Sequence, residues 1–170
     1  MKARRKMLWG MLFLVLSSFG SIFNAVAAAK PKIKAERISY GLCSVDAAKS
    51  VALATSPTGS QNVTSGFRLA KRTNRVPAEL GQRFGVEYII RADPGIEEVE
   101  IECVWVYPSP VTNAQGQVFK EARYTSVKLT NYISNLSYSF DKEYEVVKGK
   151  WLLQLYYKNV KIFEQAFFVE

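Results

Sequence analysis

Two stretches of strict alternation constrain this chain more than any other feature in it. Phe84 to Ala92 puts Phe84, Val86, Tyr88 and Ile90 on one side. Glu97 to Tyr107 puts Val99, Ile101, Cys103, Trp105 and Tyr107 on one side. A period of two belongs to half-buried strands, not to helices. Asp93-Pro94-Gly95-Ile96 joins the two runs. Folding about Pro94 and Gly95 predicts an antiparallel hairpin that sets Ile90 opposite Val99, Tyr88 opposite Ile101, Val86 opposite Cys103 and Phe84 opposite Trp105. Both apolar sets then share one face. Proline at the first turn position disfavours a tight primed turn, so the connection can extend to four residues, Asp93 to Ile96. The other face carries Glu98, Glu100 and Glu102. With Arg91 opposite Glu98, this acidic row reads as a solvated strand face that discourages edge pairing, rather than as a cation site.

The rest of the chain repeats the strand pattern. Ile33 to Val45 alternates through Ile38, Tyr40 and Leu42, and Val63 to Val76 through Phe67 and Leu69. Between them Asp46 to Asn62, with Thr55-Ser-Pro-Thr-Gly-Ser60, reads as loop. Val118 to Leu129 is a further strand, and Leu136, Tyr138 and Phe140 alternate in the next. Asp141 follows at a corner, where its carboxylate is expected to accept unpaired backbone N–H groups. Gly149 is free to take a backbone angle that other residues resist. Trp151 to Tyr157 and Val160 to Val169 close the chain around a Lys158-Asn159 turn. About eight short strands without a helix predict an all-β fold, an antiparallel β-sandwich. Trp105 and Trp151 read as core.

The N-terminus has a different composition. Lys2, Arg4, Arg5 and Lys6 precede the apolar run Met7 to Phe19, and small residues then offer A-x-A sites at Ala25-Val26-Ala27 and Ala27-Ala28-Ala29. That order describes a secretory signal peptide over residues 1–29, followed by one β-sandwich domain over 30–170. The apolar run is short for a membrane span. The mature chain is therefore expected to be exported, periplasmic or extracellular, with no transmembrane segment. The whole chain carries 23 basic and 15 acidic residues, net +8. The signal peptide removes four of the basic residues and none of the acidic ones, leaving +4. Such a mild excess, without a basic-aromatic motif, does not point to nucleic acid.

The chemistry available is narrow. There are no histidines, which removes the commonest general base and nucleophile activator. Two cysteines without histidine cannot build an ordinary zinc site, and no motif asks for another metal or a cofactor. In an exporting compartment Cys43 and Cys103 are disulfide candidates. The alternation sets Cys43 and Cys103 on differently directed faces, so a bridge and two free thiols both stay open. Two surfaces suggest binding. The last two strands are apolar on both faces, which makes Tyr156, Phe163 and Phe168 a candidate contact surface. Lys71, Arg72 and Arg75 form a candidate anion patch, whose simpler reading is a solvated strand face.

Three blocks carry a resemblance: Thr55-Ser-Pro-Thr-Gly59; Val76-Pro-Ala-x-Leu-Gly81-x-x-Phe84-Gly85; and Tyr138-Ser-Phe140-Asp141-Lys-x-Tyr144-Glu145-x-x-x-Gly149-x-Trp151, closing with Glu164-Gln-x-Phe167. Over nearly all of the mature length the chain resembles a family of exported bacterial proteins known as a domain of unknown function. The resemblance implies an immunoglobulin-like sandwich in the cell envelope, and it implies no activity and no catalytic residues. The expectation is a non-enzymatic binding or structural module that contacts another envelope protein through a sheet face or edge. The alternative is a module for glycan or anionic envelope polymer.

Overall fold

The computed structural model describes residues 32–170; the expected signal peptide lies outside them. The strands are β1 Lys34–Ser44, β2 Ala47–Ala52, β3 Ser60–Ser65, β4 Arg68–Lys71, β5 Arg75–Val76, β6 Arg83–Arg91, β7 Glu98–Thr112, β8 Val118–Leu129, β9 Ile133–Ser139, β10 Gly149–Tyr157 and β11 Val160–Val169. They form a four-stranded sheet in the order β4-β1-β6-β9, a five-stranded sheet in the order β5-β11-β10-β7-β8, and a separate β2-β3 hairpin. Pairing is antiparallel except between the short β5 and β11. The two larger sheets enclose a common core, which makes the domain an antiparallel β-sandwich.

The alternating runs Phe84–Ala92 and Glu97–Tyr107 do bury the residues expected of them. Their pairing differs from the predicted hairpin. β6 bonds to β1 and β9, and β7 bonds to β10 and β8. The two strands therefore lie in opposite sheets, joined by an arch, and their apolar faces meet through the core. Phe84 stands edge-on to Trp105 with ring centroids 5.7 Å apart. The turn after β8 holds the arms apart: Thr130 N–H donates to the Glu97 carbonyl at 2.8 Å and Asn131 N–H to the Ile90 carbonyl at 2.7 Å. Arg91 accordingly does not face Glu98. It donates to Glu36 on the neighbouring β1 at 2.9 Å.

Three other expectations shift. The segment read as loop, Asp46 to Asn62, contains β2 and the start of β3, a polar hairpin that burial patterning could not reveal. Val63 to Val76 is not one strand: it is cut into the end of β3, then β4 and β5, as the chain crosses from one sheet to the other. In β1 a bulge between Arg37 and Ser39 shifts the alternation. Tyr40 and Leu42 pack against the core, while Ile38 is left exposed, because the extra residue of a bulge has no partner.

The bulge also bears on the cysteines. Leu42 packs on the core, so its neighbour Cys43 lies on the opposite face of the four-stranded sheet, near Arg83 and Glu87. Cys103 points inward from the other sheet and is fully buried. Both are free thiols. The bridge left open by the sequence does not form, because a full sheet separates the two side chains. Burial pushes the Cys43 thiol up to about 12 and that of Cys103 up to about 11, where neither is a ready nucleophile.

The corner after β9 is built as expected but by another residue. Glu145, 2% exposed, lies in a single 3-10 turn, Glu143–Glu145. Its Oε2 accepts N–H groups from Asp141 at 3.0 Å and Lys142 at 2.9 Å. Asp141 instead accepts the side-chain amide of Asn62 at 3.1 Å. Gly149 sits at φ +129, and a Cβ there would come within 2.6 Å of Pro108. Trp151 follows, wholly buried, with its indole N–H donated to the Val147 carbonyl at 2.8 Å. At Lys158-Asn159 both φ angles are positive, the signature of a type I′ hairpin turn.

Candidate interaction surface

The last hairpin was expected to present Tyr156, Phe163 and Phe168 together, and the structure separates them. Phe163 points into the core and packs near Tyr88, with ring centroids 6.0 Å apart. Tyr156 and Phe168 both face outward from the five-stranded sheet. Phe168 pairs with Lys150 and Tyr156 with Lys161, so the two aromatics lie about 20 Å apart along β10 at strand rise. Phe168 is 41% exposed.

The ground between them is polar and closed. Arg123 donates to Glu102 at 2.6 Å and to Glu121 at 2.9 Å, with its guanidinium 5.7 Å from the Tyr156 ring. The Tyr156 hydroxyl donates to Gln154 at 2.9 Å, and Gln154 donates to Glu164 at 3.0 Å. Lys161, then Gln154, hold the Glu164 carboxyl below its ordinary range. This mesh covers Val104, an outward-facing residue that is fully buried beneath it. Long charged side chains can shield apolar surface in this way.

The candidate anion patch lies where the chain crosses between the sheets. Lys71, Arg72 and Arg75 are all exposed. Arg75 is paired with Glu170 at 2.5 Å, and Arg72 lies 5.8 Å from the Tyr40 ring. Among the described residues no carboxylate pairs with Lys71 or Arg72.

The surface that patterning missed is at the other end, around β8, β9 and β3. Val63, Val127, Leu129, Tyr132 and Ile133 are each more than half exposed. Four of the five lie within seven residues of sequence. They are held firmly: the Thr130 hydroxyl donates to the Ile96 carbonyl, and its backbone N–H to that of Glu97. Below them a cleft of about 310 Å³ runs between β3, β8 and β9, lined by Val63, Thr64, Ser126, Lys128, Ile133 and Asn135 among others. The signal for this surface was in the sequence, as the run Val127-Lys-Leu-Thr-Asn-Tyr-Ile133, where the expected polar side of a strand is apolar.

A second, smaller cavity of about 60 Å³ lies beside Glu145, Tyr138, Arg83 and Ser137. It has room for about two waters. Among the described residues no group of three metal-ligating side chains comes together.

Comparison with known proteins agrees with this architecture. No curated protein matches the chain at a significant level. A solved structure described as an immunoglobulin-like protein from Pseudomonas aeruginosa is similar, with 22% identity and a TM-score of 0.58, over 82% of this chain and 97% of that one. At this identity the likeness is one of fold, and the sandwich is immunoglobulin-like. The family model described as "Domain of unknown function (DUF3859)" matches residues 31–169, and the chain belongs to that family.

Proposed function

We propose that this protein is a non-enzymatic exported module, working in the periplasm or outside the cell, that binds another envelope protein. The observation that carries the reading is the exposure of Leu129 and Tyr132 together at one end of the sandwich, where both line one cleft, with Val127 and Ile133 exposed on the strands that flank them. Neighbouring exposed apolar side chains such as Leu129 and Tyr132 mark interaction sites. The basic, apolar and small-residue order of residues 1–29 supports export. The contact surface thus moves from the Tyr156–Phe168 face, where polar side chains close the surface, to the β8–β9 end.

The test is cross-linked capture by the exported protein in envelope extract, comparing wild type with a Tyr132→Ser, Ile133→Ser double variant. Partner protein retained at high salt and lost in the double variant is the expected outcome. Equal capture by both proteins would remove this surface from the reading. An anionic envelope polymer is the competing partner, because Lys71 and Arg72 have no carboxylate partner among the described residues. Its recovery only at low salt would favour that alternative.

A further inference from the structure

The exposed edge of β8 has a free main chain as well as apolar side chains. The hydroxyl of Thr55 donates to the Arg123 carbonyl at 2.6 Å and accepts the Arg123 N–H at 3.3 Å. The backbone of Arg123 therefore points away from β7. The ladder between β7 and β8 runs without a shift from Glu98–Leu129 to Val106–Glu121. By the period of two, the N–H and C=O groups of Thr125 and Val127 point off the sheet as well. Among the described residues no backbone group meets them; the Val127 carbonyl has only the hydroxyl of Ser126, at 3.4 Å. Beyond Thr55 the edge is bare from Thr125 to Leu129, a length of about 17 Å at strand rise.

The side chains here alternate usefully. Val127 and Leu129 are exposed on the outer face of the sheet. Lys128 points the other way and is half-buried in the 310 Å³ cleft, where it is the one charged lining residue. No carboxylate pairs with it among the described residues. A strand laid along β8 would satisfy the free main-chain groups. It would set apolar side chains beside Val127 and Leu129, and the intervening side chain beside Lys128.

We propose that β8 accepts an extended segment of a partner protein by strand addition over Thr125–Leu129, and that this segment carries a carboxylate that pairs with Lys128 in the cleft between β8 and β3. The proposal rests on the protein-binding reading above and names its partner chemistry. A second copy of this chain fits less well: two β8 edges laid antiparallel over Thr125–Leu129 would set Lys128 opposite Ser126, which offers no carboxylate. Strand addition draws affinity from the main chain and specificity from alternate side chains.

The probe is a labelled ten-residue peptide of alternating valine and serine with a central Glu, and its counterpart with a central Lys. Each is titrated against the exported protein by fluorescence anisotropy. The Glu peptide should bind at least fivefold more tightly than the Lys peptide, and Lys128→Gln should erase that preference. Val127→Pro removes only an N–H that points off the sheet, a position an edge strand tolerates. It should weaken binding at least tenfold while thermal unfolding stays near wild type. Should Val127→Pro fail to fold, hydrogen exchange on wild type decides the matter: the amides of Thr125 and Val127 should gain protection when the Glu peptide is added. No binding of either peptide, binding indifferent to Val127→Pro, or unprotected amides would overturn the proposal. If envelope capture survives Val127→Pro, strand addition fails while the protein-binding reading stands. If the Glu peptide binds with the stated pattern but no envelope protein is captured, the reverse holds. A concentration-dependent dimer lost in Val127→Pro would assign the edge to a second copy and overturn the acidic partner.

Discussion

The hydroxyl of Tyr138 donates to Oε1 of Glu145 at 2.6 Å, while two backbone N–H groups of the preceding corner occupy Oε2. One buried carboxylate thus ties the end of β9 to the turn that feeds β10. Burial raises the Glu145 carboxyl above its ordinary value despite these donors. Glu145→Ala should destabilise the domain by about 2–3 kcal/mol, since it strands buried donors. Chemical denaturation checks this.

The pH dependence of Glu145 has a definite sign. Its folded-state value lies above 4.5, and the unfolded value is ordinary. Between the two, the folded state binds more protons than the unfolded state, so stability falls as pH rises through that window. Wild type should gain stability relative to Glu145→Gln as the pH is lowered from 7 towards 4.5. Melting temperatures of both proteins across that range test it; a constant difference would contradict it.

Phe163 and Phe168 should part company on mutation. Phe163→Ala empties a core site and should cost about 3–4 kcal/mol. Phe168→Ser changes an exposed side chain and should stay within about 0.5 kcal/mol. Urea midpoints separate the two outcomes cleanly.

The two cysteines should behave as protected thiols. A thiol reagent should label neither in the native protein and both in denaturant, and intact mass should not change on reduction. Labelling of Cys43 in the native state would show that its cover opens.

Lys158 holds φ 47 in the last hairpin, a region that disfavours residues with a Cβ. Lys158→Asn should stabilise the domain by up to about 1 kcal/mol, because asparagine suits the first position of a type I′ turn. A rise in melting temperature is the readout.

The sequence by itself determined which residues are buried in the central strands. Val99, Ile101, Cys103, Trp105 and Tyr107 all face inward as their spacing requires, and Phe167 and Phe168 divide between core and solvent. The Lys158-Asn159 turn was legible because its two strands leave no other connection. These are local facts: side-chain direction follows from backbone period alone. Only the tertiary structure decided which strand lies beside which. Facing the same apolar sets, a hairpin and an arch between sheets bury the same side chains, so β6 and β7 could not be told apart from a ladder. The choice was made by long-range main-chain bonds, β6 to β1 and β9, β7 to β10 and β8. The same bonds put a full sheet between Cys43 and Cys103, put Phe163 in the core, and left the edge of β8 bare beside Lys128. Hydrogen-bond partners distant in sequence carry no periodic signature, and that is why these features became visible only in the folded chain.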